Sequence, residues 1–367
     1  MSIIINGTRI RSGGGLIFAS KLITSFQSKG RKAIVFASDD LKNYLTKEKT
    51  NLSNISLYKT PSSVLLNILY EIFIISVFVL FSKGRVLTLD ATTFLPLKKM
   101  WTVHQDILPY FPGYSSGASI KNRFRNKVIR WLQYNTLRRS QVVFFQSEYA
   151  RNIVQKSVPI SRSFIIPHGL NRVSGFSPKS KPNSKFLQLV CVSPLYYYKN
   201  YSTVLNALYK LKKLGIKVNL RIVGGVGDKK EYEKLVSTCQ NLGLFDDVEF
   251  MGHLEHRQVL RLISEADALV FASLCETFGI TLLEALSVDT PVIAANIGYI
   301  NEILLDHFPV FDACDSTDLA RVISAFLQQQ SKYKKAEAFE ILRQRFDWSQ
   351  ILDRYHEVII EYDNQSS

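Results

Sequence analysis

The chain has 367 residues, of which 46% are apolar and 21% charged, and its mean hydropathy is +0.03. That apolar share excludes disorder over the whole chain, the absence of a fixed period excludes repeat and collagen-like architectures, and the length predicts two domains. The formal net charge of +15 is uneven: residues 1–180 carry 26 Lys+Arg against 7 Asp+Glu (+19), and residues 181–367 carry 20 against 24 (−4). A basic half implies anionic partners, whether nucleic acid, a phospholipid surface or phosphorylated substrates.

The N-terminal Met1-Ser-Ile-Ile-Ile-Asn lacks a basic n-region and a cleavage site, and reads as a first strand. Ser2–Asn6 stops at the Gly-rich turn Gly13-Gly14-Gly15, an amphipathic stretch runs from Leu16 to Ser28, and a second apolar run covers Lys32–Ala37. Strand, Gly loop, helix, strand is a βαβ opening and predicts a parallel sheet covered by helices. Val64–Phe81 is the most apolar segment, eighteen residues with Glu71 near its middle. That length is near the lower limit for spanning a bilayer, so a helix buried in the domain or lying shallowly in a membrane interface is expected. A further apolar run, Val86–Leu89, follows.

Residues 107–147 contain no acid, yet hold Lys121, Arg123, Arg125, Lys127, Arg130, Arg138 and Arg139. Val128, Ile129, Trp131, Leu132 and Tyr134 interleave with them, the pattern of a basic helix able to rest on anionic headgroups, or of a solvated helix that serves solubility. Composition shifts to Ser, Pro, Lys and Gly after Pro167-His168-Gly169, which marks the domain boundary. We read an N-terminal domain over 1–170, a linker over 171–185, a C-terminal domain over 186–345, and a final helical segment, 346–367, that could cross back to the first domain.

Past the linker the alternation restarts. Strands are expected at Leu187–Val192, Lys217–Val223, Val248–Met251, Ala268–Ala272 and Pro291–Ala295. Helices are expected at about Asn200–Lys213, Lys229–Leu242, Arg257–Glu265 and Gly279–Ser287, with a helical tail over Ser316–Tyr362 broken near Ser331 and Trp348. The whole is α/β, two Rossmann-like domains with a ligand cleft between them. The four cysteines, Cys191, Cys239, Cys275 and Cys314, stand 48, 36 and 39 residues apart without a C-x-x-C pair, and read as buried reduced thiols.

The chemistry concentrates in Glu276-Thr-Phe-Gly-Ile-Thr-Leu-Leu-Glu284. Two acids in an apolar run need partners, and the hydroxyls of a sugar are natural ones, although a capping or salt-bridging role for Glu284 is the plainer alternative. The amides of Phe278, Gly279 and Ile280 are orphan donors at a helix start, placed for a phosphate.

This segment resembles the paired-glutamate motif of the GT-B glycosyltransferases, specifically the retaining family 4 group. Seven residues separate Glu276 from Glu284, within Phe271-Ala-Ser-Leu-Cys-Glu-Thr-Phe-Gly-Ile-Thr-Leu-Leu-Glu-Ala. The likeness extends to Val192-Ser-Pro-Leu-Tyr-Tyr-Tyr-Lys-Asn200, Ile222-Val-Gly-Gly225, Phe250-Met-Gly252, Pro291–Gly298, Asn301-Glu302 and Phe346-Asp-Trp348. In the first half it thins to Gly13–Gly15, Val103-His104-Gln-Asp106 and Ile166-Pro-His-Gly169. The resemblance implies a nucleoside-diphosphate sugar donor, UDP- or GDP-linked. Glu284 would bind the ribose and Glu276 the transferred sugar, and Lys199 would neutralise the leaving diphosphate. Gly14 and Gly15 would let a loop approach the phosphates, and His104 would act near the reacting carbon or the acceptor. Where many relatives carry an Arg five residues before the lysine, Pro194 stands here.

No Asp-x-Asp triplet occurs, so no cofactor and no metal are expected. The acceptor is expected to be a lipid-linked saccharide of cell-surface polysaccharide synthesis (O-antigen, lipopolysaccharide or capsule). The enzyme would sit peripherally on the inner, cytoplasmic face of the membrane, with Lys121, Arg123, Arg125, Lys127 and Arg130 on its anionic surface. A soluble acceptor, as for a phosphorylase or glucan synthase, is the alternative on the same fold. A nucleic-acid-binding role would leave Glu276, Glu284 and Lys199 without a task, and no RNP, zinc or helix-turn-helix pattern accompanies the charge.

Overall fold

A computed structural model describes residues 3–11, 13–48, 51–82, 84–97, 100–111, 120–170, 173, 175–176, 186–333 and 336–364. The chain divides into two compact units: unit 1 is Met1–Gly169 with Trp348–Ser367, and unit 2 is Leu170–Asp347. Both are α/β, each built on one parallel sheet. Most of the segment read as a linker, and the side chain of Lys121, lie outside the described residues.

Unit 1 has strands β1 (Ile3–Gly7), β2 (Ala33–Ala37), β3 (Ile55–Lys59), β4 (Arg85–Thr88), β5 (Met100–His104), β6 (Ser140–Phe145) and β7 (Ser163–Ile165). They pair in the order β3-β2-β1-β4-β5-β6-β7, all parallel. The helices are α1 (Gly13–Ser28), α2 (Asp39–Lys47), α3 (Val64–Ser82), α4 (Ile120–Arg139) and α5 (Glu148–Gln155). Alternation along β1 sends Ile3 and Ile5 to one face and Ile4 to the other, so the sheet has two cores. On the first face, Phe18 and Leu22 of α1 meet Trp348, Ile351 and Tyr355; on the second, Ile4 and Phe36 meet Ile75 and Val79 of α3. Trp348 and Tyr355 belong to α14 (Trp348–Asn364), so the chain's final helix completes the core of unit 1.

Two expectations need correction here. The three glycines were expected to form a turn before the helix, but α1 starts at Gly13, which takes φ +60 at its first position. Gly14 and Gly15 therefore form the helix's first turn, and their amides are among its orphan donors. The apolar segment is neither wholly buried nor free. Val64–Ser82 is long and apolar enough to cross a membrane by composition, with mean hydropathy 2.5, and its middle, Tyr70–Ile75, is π-helical. One face packs on the sheet, whereas Leu65, Phe73, Leu80 and Phe81 stand outside, Phe81 at 86% exposure.

Glu71 shows why the inner face stays put. Its carboxylate is fully buried and accepts from Asn6 Nδ2 (3.2 Å), Thr8 Oγ1 (2.8 Å), Thr93 Oγ1 (3.2 Å) and the Phe94 backbone N–H (3.0 Å). Arg9 pairs at 3.2 Å with Oε2, the oxygen that also accepts from Phe94. A charge on an otherwise apolar helix is stable only with such partners, and these come from the end of β1 and from the loop after β4.

The same unit buries three imidazoles, and burial pushes His104 and His168 down to about 4 from 6.5. His356 is also lowered to about 4, by burial first and then by Arg31 and Lys29. A base whose folded pKa is depressed is stabilised while neutral, so this contribution is complete above about 6.5 and is lost as pH falls toward 4. The melting temperature should fall across that interval, and less steeply in a His356→Gln variant, as scanning calorimetry would read. Parallel slopes for the two proteins would refute this assignment for His356.

Unit 2 has strands β8 (Leu187–Val192), β9 (Val218–Val223), β10 (Val248–Gly252), β11 (Ala268–Phe271), β12 (Val292–Ala295) and β13 (Val310–Phe311), in the order β10-β9-β8-β11-β12-β13. Its helices are α6 (Tyr201–Lys213), α7 (Lys229–Asn241), α8 (His256–Glu265), α9 (Ile280–Ser287), α10 (Gly298–Leu304), α11 (Ser316–Gln328), α12 (Gln330–Tyr333) and α13 (Ala336–Arg345). Strand order reverses between β8 and β11, so the loops after these two strands diverge and leave a crevice at their carboxyl ends. Cys191, Cys239 and Cys275 are buried, but Cys314, expected inside, is exposed in the loop before α11.

Candidate active site

The loop after β8 runs through Ser193–Tyr196 into a 3-10 turn, Tyr197–Lys199, and ends at Asn200 in the left-handed region (φ 60). Asn200 Nδ2 donates to the Ala313 carbonyl at 2.6 Å, which fixes the turn. Pro194 lies where two backbones cross. A Cβ on Gly224 would come within 2.0 Å of the Ser193 carbonyl oxygen and 2.9 Å of the Pro194 nitrogen, and Gly224 itself has φ +152. Only glycine fits there, and that closeness explains the Gly224-Gly225 turn.

The turn aims Lys199 at the loop after β11. Its ammonium forms an ion pair with Glu276 Oε1, which also accepts from Ser273 Oγ at 2.9 Å. Lys199 Nζ stands 5.2 Å from the Tyr198 ring centroid, within cation–π range. Residues 77 positions apart in sequence thus meet at the switch point of the sheet. The pair is mostly shielded, with side chains 12% and 21% exposed, and both groups retain a face that a ligand can reach.

Three residues beyond Glu276, Gly279 adopts φ +82 and caps α9. A side chain there would be strained by that φ and would meet Leu282 Cδ1 at 3.0 Å. Phe278 is buried against Phe346, their ring centroids 5.8 Å apart, and Ile280 opens the helix. One turn on, Glu284 Oε1 lies 3.0 Å from His256 Nε2, and the carboxylate raises the imidazole above its usual range. Lys199, Glu276, Phe278, Gly279, Ile280 and Glu284 therefore all belong to the two loop–helix junctions at the carboxyl ends of β8 and β11. The salt-bridging alternative for Glu284 is also realised, through His256.

In unit 1, His104 ends β5 and is wholly buried, its ring centroid 6.2 Å from that of Tyr110 and 5.3 Å from that of Phe145. A Cβ on Gly15 would lie 3.4 Å from Gln105 Oε1, so the first turn of α1 adjoins the residue after His104. Arg123, Arg125, Lys127 and Arg130 stand exposed on α4 together with Phe124 and Trp131, while Leu132, Gln133, Thr136 and Leu137 face inward. Thr136 Oγ1 donates to the Thr93 carbonyl at 3.1 Å, and Thr93 also holds Glu71, so α3 and α4 share one face of the sheet.

Sequence reasoning missed Ser273, Tyr198 and His256. Ser273 precedes Glu276 by three residues and Tyr198 adjoins Lys199, so both were within reach. His256 sits on another helix, and no spacing announces it.

Residues 175–340 match the family described as Glycosyl transferases group 1. The gpi3 subunit of phosphatidylinositol N-acetylglucosaminyltransferase from Schizosaccharomyces pombe is 28% identical over 249 residues, covering 67% of this chain and 53% of its own length. The O-antigen chain mannosyltransferase RfbU of Salmonella typhimurium is 30% identical over 228 residues, 61% of this chain and 59% of its own. The chain thus spans about half the length of the curated relatives it matches. Among solved structures, Anabaena Alr3699/HepE in complex with UDP and glucose superposes with a TM-score of 0.74 at 17% identity, covering 98% of this chain and 99% of that one. That likeness shows the GT-B fold. The stretch that matches glycosyl transferases group 1, residues 175–340, is the one that holds the Lys199–Glu276 pair.

Proposed function

We propose that the protein is a retaining glycosyltransferase that moves a sugar from a UDP- or GDP-sugar to a lipid-linked saccharide in cell-surface polysaccharide synthesis. The observation that carries this reading is the convergence of Lys199, Glu276 and the α9 start at one crevice of unit 2. Glu284 takes the ribose hydroxyls in competition with His256, and the first-turn amides of α9 take a phosphate. Lys199 leaves Glu276 as negative charge grows on the departing diphosphate, and Glu276 turns to the hydroxyls of the sugar. In unit 1 His104, kept neutral by burial, serves the acceptor side.

Lys199 and the helix amides supply the positive potential a metal would otherwise give, so the reaction is metal-independent in this reading. The test is a thermal-shift screen against UDP, GDP, ADP, CMP and TDP with EDTA present. One nucleoside diphosphate should raise the melting temperature by mass action. No shift with any of them would overturn the donor site, and a shift only after Mg²⁺ is restored would overturn metal independence.

The acceptor half of the proposal rests on unit 1. The outer apolar face of α3 and the exposed Phe124 and Trp131 among the α4 cations are suited to an anionic bilayer, with aliphatic side chains in the interface and ammonium and guanidinium groups on phosphates. The lipid named for the S. pombe relative's transferase points the same way. Reversing Arg123, Arg125 and Lys127 to Glu should release the protein from vesicles containing phosphatidylglycerol, read by co-sedimentation. Undiminished binding would remove α4 from the membrane contact.

A further inference from the structure

In unit 2 the loops after β9 and β10 are held side by side. The Gly224 N–H donates to the Gly252 carbonyl at 2.8 Å, and a Cβ on Gly225 would lie 3.9 Å from His253 Cβ. The Glu255 N–H then donates to Gln258 Oε1 at 3.1 Å, which starts α8 at His256.

From that first position His256 reaches α9, where its Nε2 stands 3.0 Å from Glu284 Oε1. The imidazole is half exposed and the carboxylate side chain 18% exposed, so a solute can reach both partners. α8 packs on α9 and β8. Within those two elements Glu284 is the sole acid, and the other titratable group, Cys191, is buried with its thiol pushed up by that burial. The titratable or charged neighbours along its own segment are His253, Glu255 and Arg257. A helix N-terminus and desolvation both disfavour an imidazolium, yet the hydrogen bond to Glu284 raises His256 above its usual 6.5. The carboxylate therefore outweighs both.

A carboxylate accepts a vicinal diol through its two oxygens, and here one of them already faces a donor. Donation from an imidazolium is charge-assisted and about twice as strong as donation from a neutral hydroxyl. A ribose that takes Glu284 removes the cause of the raised pKa. His256 then returns toward 6.5 and gives up a proton wherever the pH lies between its two values. Ribose binding tightens as pH rises through that interval and levels off above it.

We propose that His256 is a specificity-determining residue of the nucleotide site: its imidazolium competes for Glu284, so the preference for a ribose over a deoxyribose depends on whether the ring carries its proton. The place of Glu284 on the ribose rests on the transferase reading above; its contact with His256 does not.

The test is titration calorimetry of the full chain with UDP and with GDP, each beside its 2′-deoxy and 3′-deoxy forms, from about pH 6 to about pH 8. The ratio of affinities, ribose to deoxyribose, cancels the ionisation of the phosphates. In wild type at least one ratio should grow with pH by about threefold, the size of a partly exposed ion pair. His256→Gln keeps the size of the side chain without the charge, and should show at every pH the ratio that wild type reaches only at the alkaline end. Arg257→Gln removes the neighbouring exposed charge from the same helix and should keep the wild-type growth.

Flat ratios in wild type, or growth that survives in His256→Gln, would overturn the proposal. Weaker UDP and GDP binding by His256→Gln at every pH would make the imidazole a support of Glu284, which also overturns it. The contact is read separately from the His256 Cε1–H resonance of the free protein against pH. Its midpoint should fall in Glu284→Gln, and an unchanged midpoint would refute the pair. Should neither nucleotide bind wild type while the midpoint falls as expected, the donor site itself is refuted, and the selectivity with it. Should nucleotides bind with ratios indifferent to pH, only the role of His256 is lost.

Discussion

Replacing Glu276 with alanine is expected to lower sugar transfer on the order of 10²–10³-fold, as loss of one preorganised polar contact to a developing charge does. Nucleotide binding should survive, because Glu284 and the first-turn amides of α9 remain and Lys199 loses the carboxylate that competes for it. The signature is therefore a split: turnover collapses while the thermal shift with the cognate nucleoside diphosphate is kept or grows. Glu276→Gln keeps the size and one acceptor for Ser273 but gives up the charge, and should fall between alanine and wild type. Near-normal turnover in the alanine variant would remove Glu276 from the chemistry.

The largest effect on stability is expected at Glu71. Its removal leaves Arg9, Asn6, Thr8 and the Phe94 amide without their common acceptor in a buried place. Breaking a buried pair costs about 3–5 kcal/mol, and the partial exposure of Arg9 places the value at about 3 kcal/mol. Unfolding in urea, followed through a fluorophore in unit 1, should show that loss at an unchanged slope. Glu71→Gln should recover part of it by restoring hydrogen bonds without charge. A loss under ~1 kcal/mol would mean that water enters and satisfies these groups. The inner face of α3 would also loosen, and proteolysis between Val64 and Ser82 should accelerate.

Most of unit 2 could be read in advance because its strands are short, largely apolar runs. Leu187–Val192 and Val218–Val223 are such runs, interrupted only by Gln188, Asn219 and Arg221. The strand Ile55–Lys59 could not be read this way. It lies at the sheet edge with Ser56, Tyr58 and Lys59 exposed, so its composition is that of a loop. The two-residue β13 and the short α10, which ends in Leu305 and Asp306 at positive φ, carry too little pattern to be found. The helix over Asp39–Lys47 was missed despite Ser38 as its N-cap, because only Leu41 and Leu45 mark its buried face.

The site divides along similar lines. Glu276 and Glu284 were legible as acids that an apolar run cannot hold unaided, but their partners Lys199 and His256 depend on which loops the sheet order brings together. Lys199 was found only through family likeness, and His256 not at all.

The packing of Trp348, Ile351 and Tyr355 into the core of unit 1 sets an order of events during synthesis. Unit 2 is one uninterrupted stretch, Leu170–Asp347, and holds all its core residues once Asp347 has been made. Unit 1 begins earlier in the chain but lacks one side of its core until α14 has emerged from the ribosome. The first-made unit is thus the last to close, and it waits through the synthesis of unit 2 with Phe18, Leu22 and Phe26 of α1 uncovered. Those residues are where a nascent-chain chaperone would find its apolar surface.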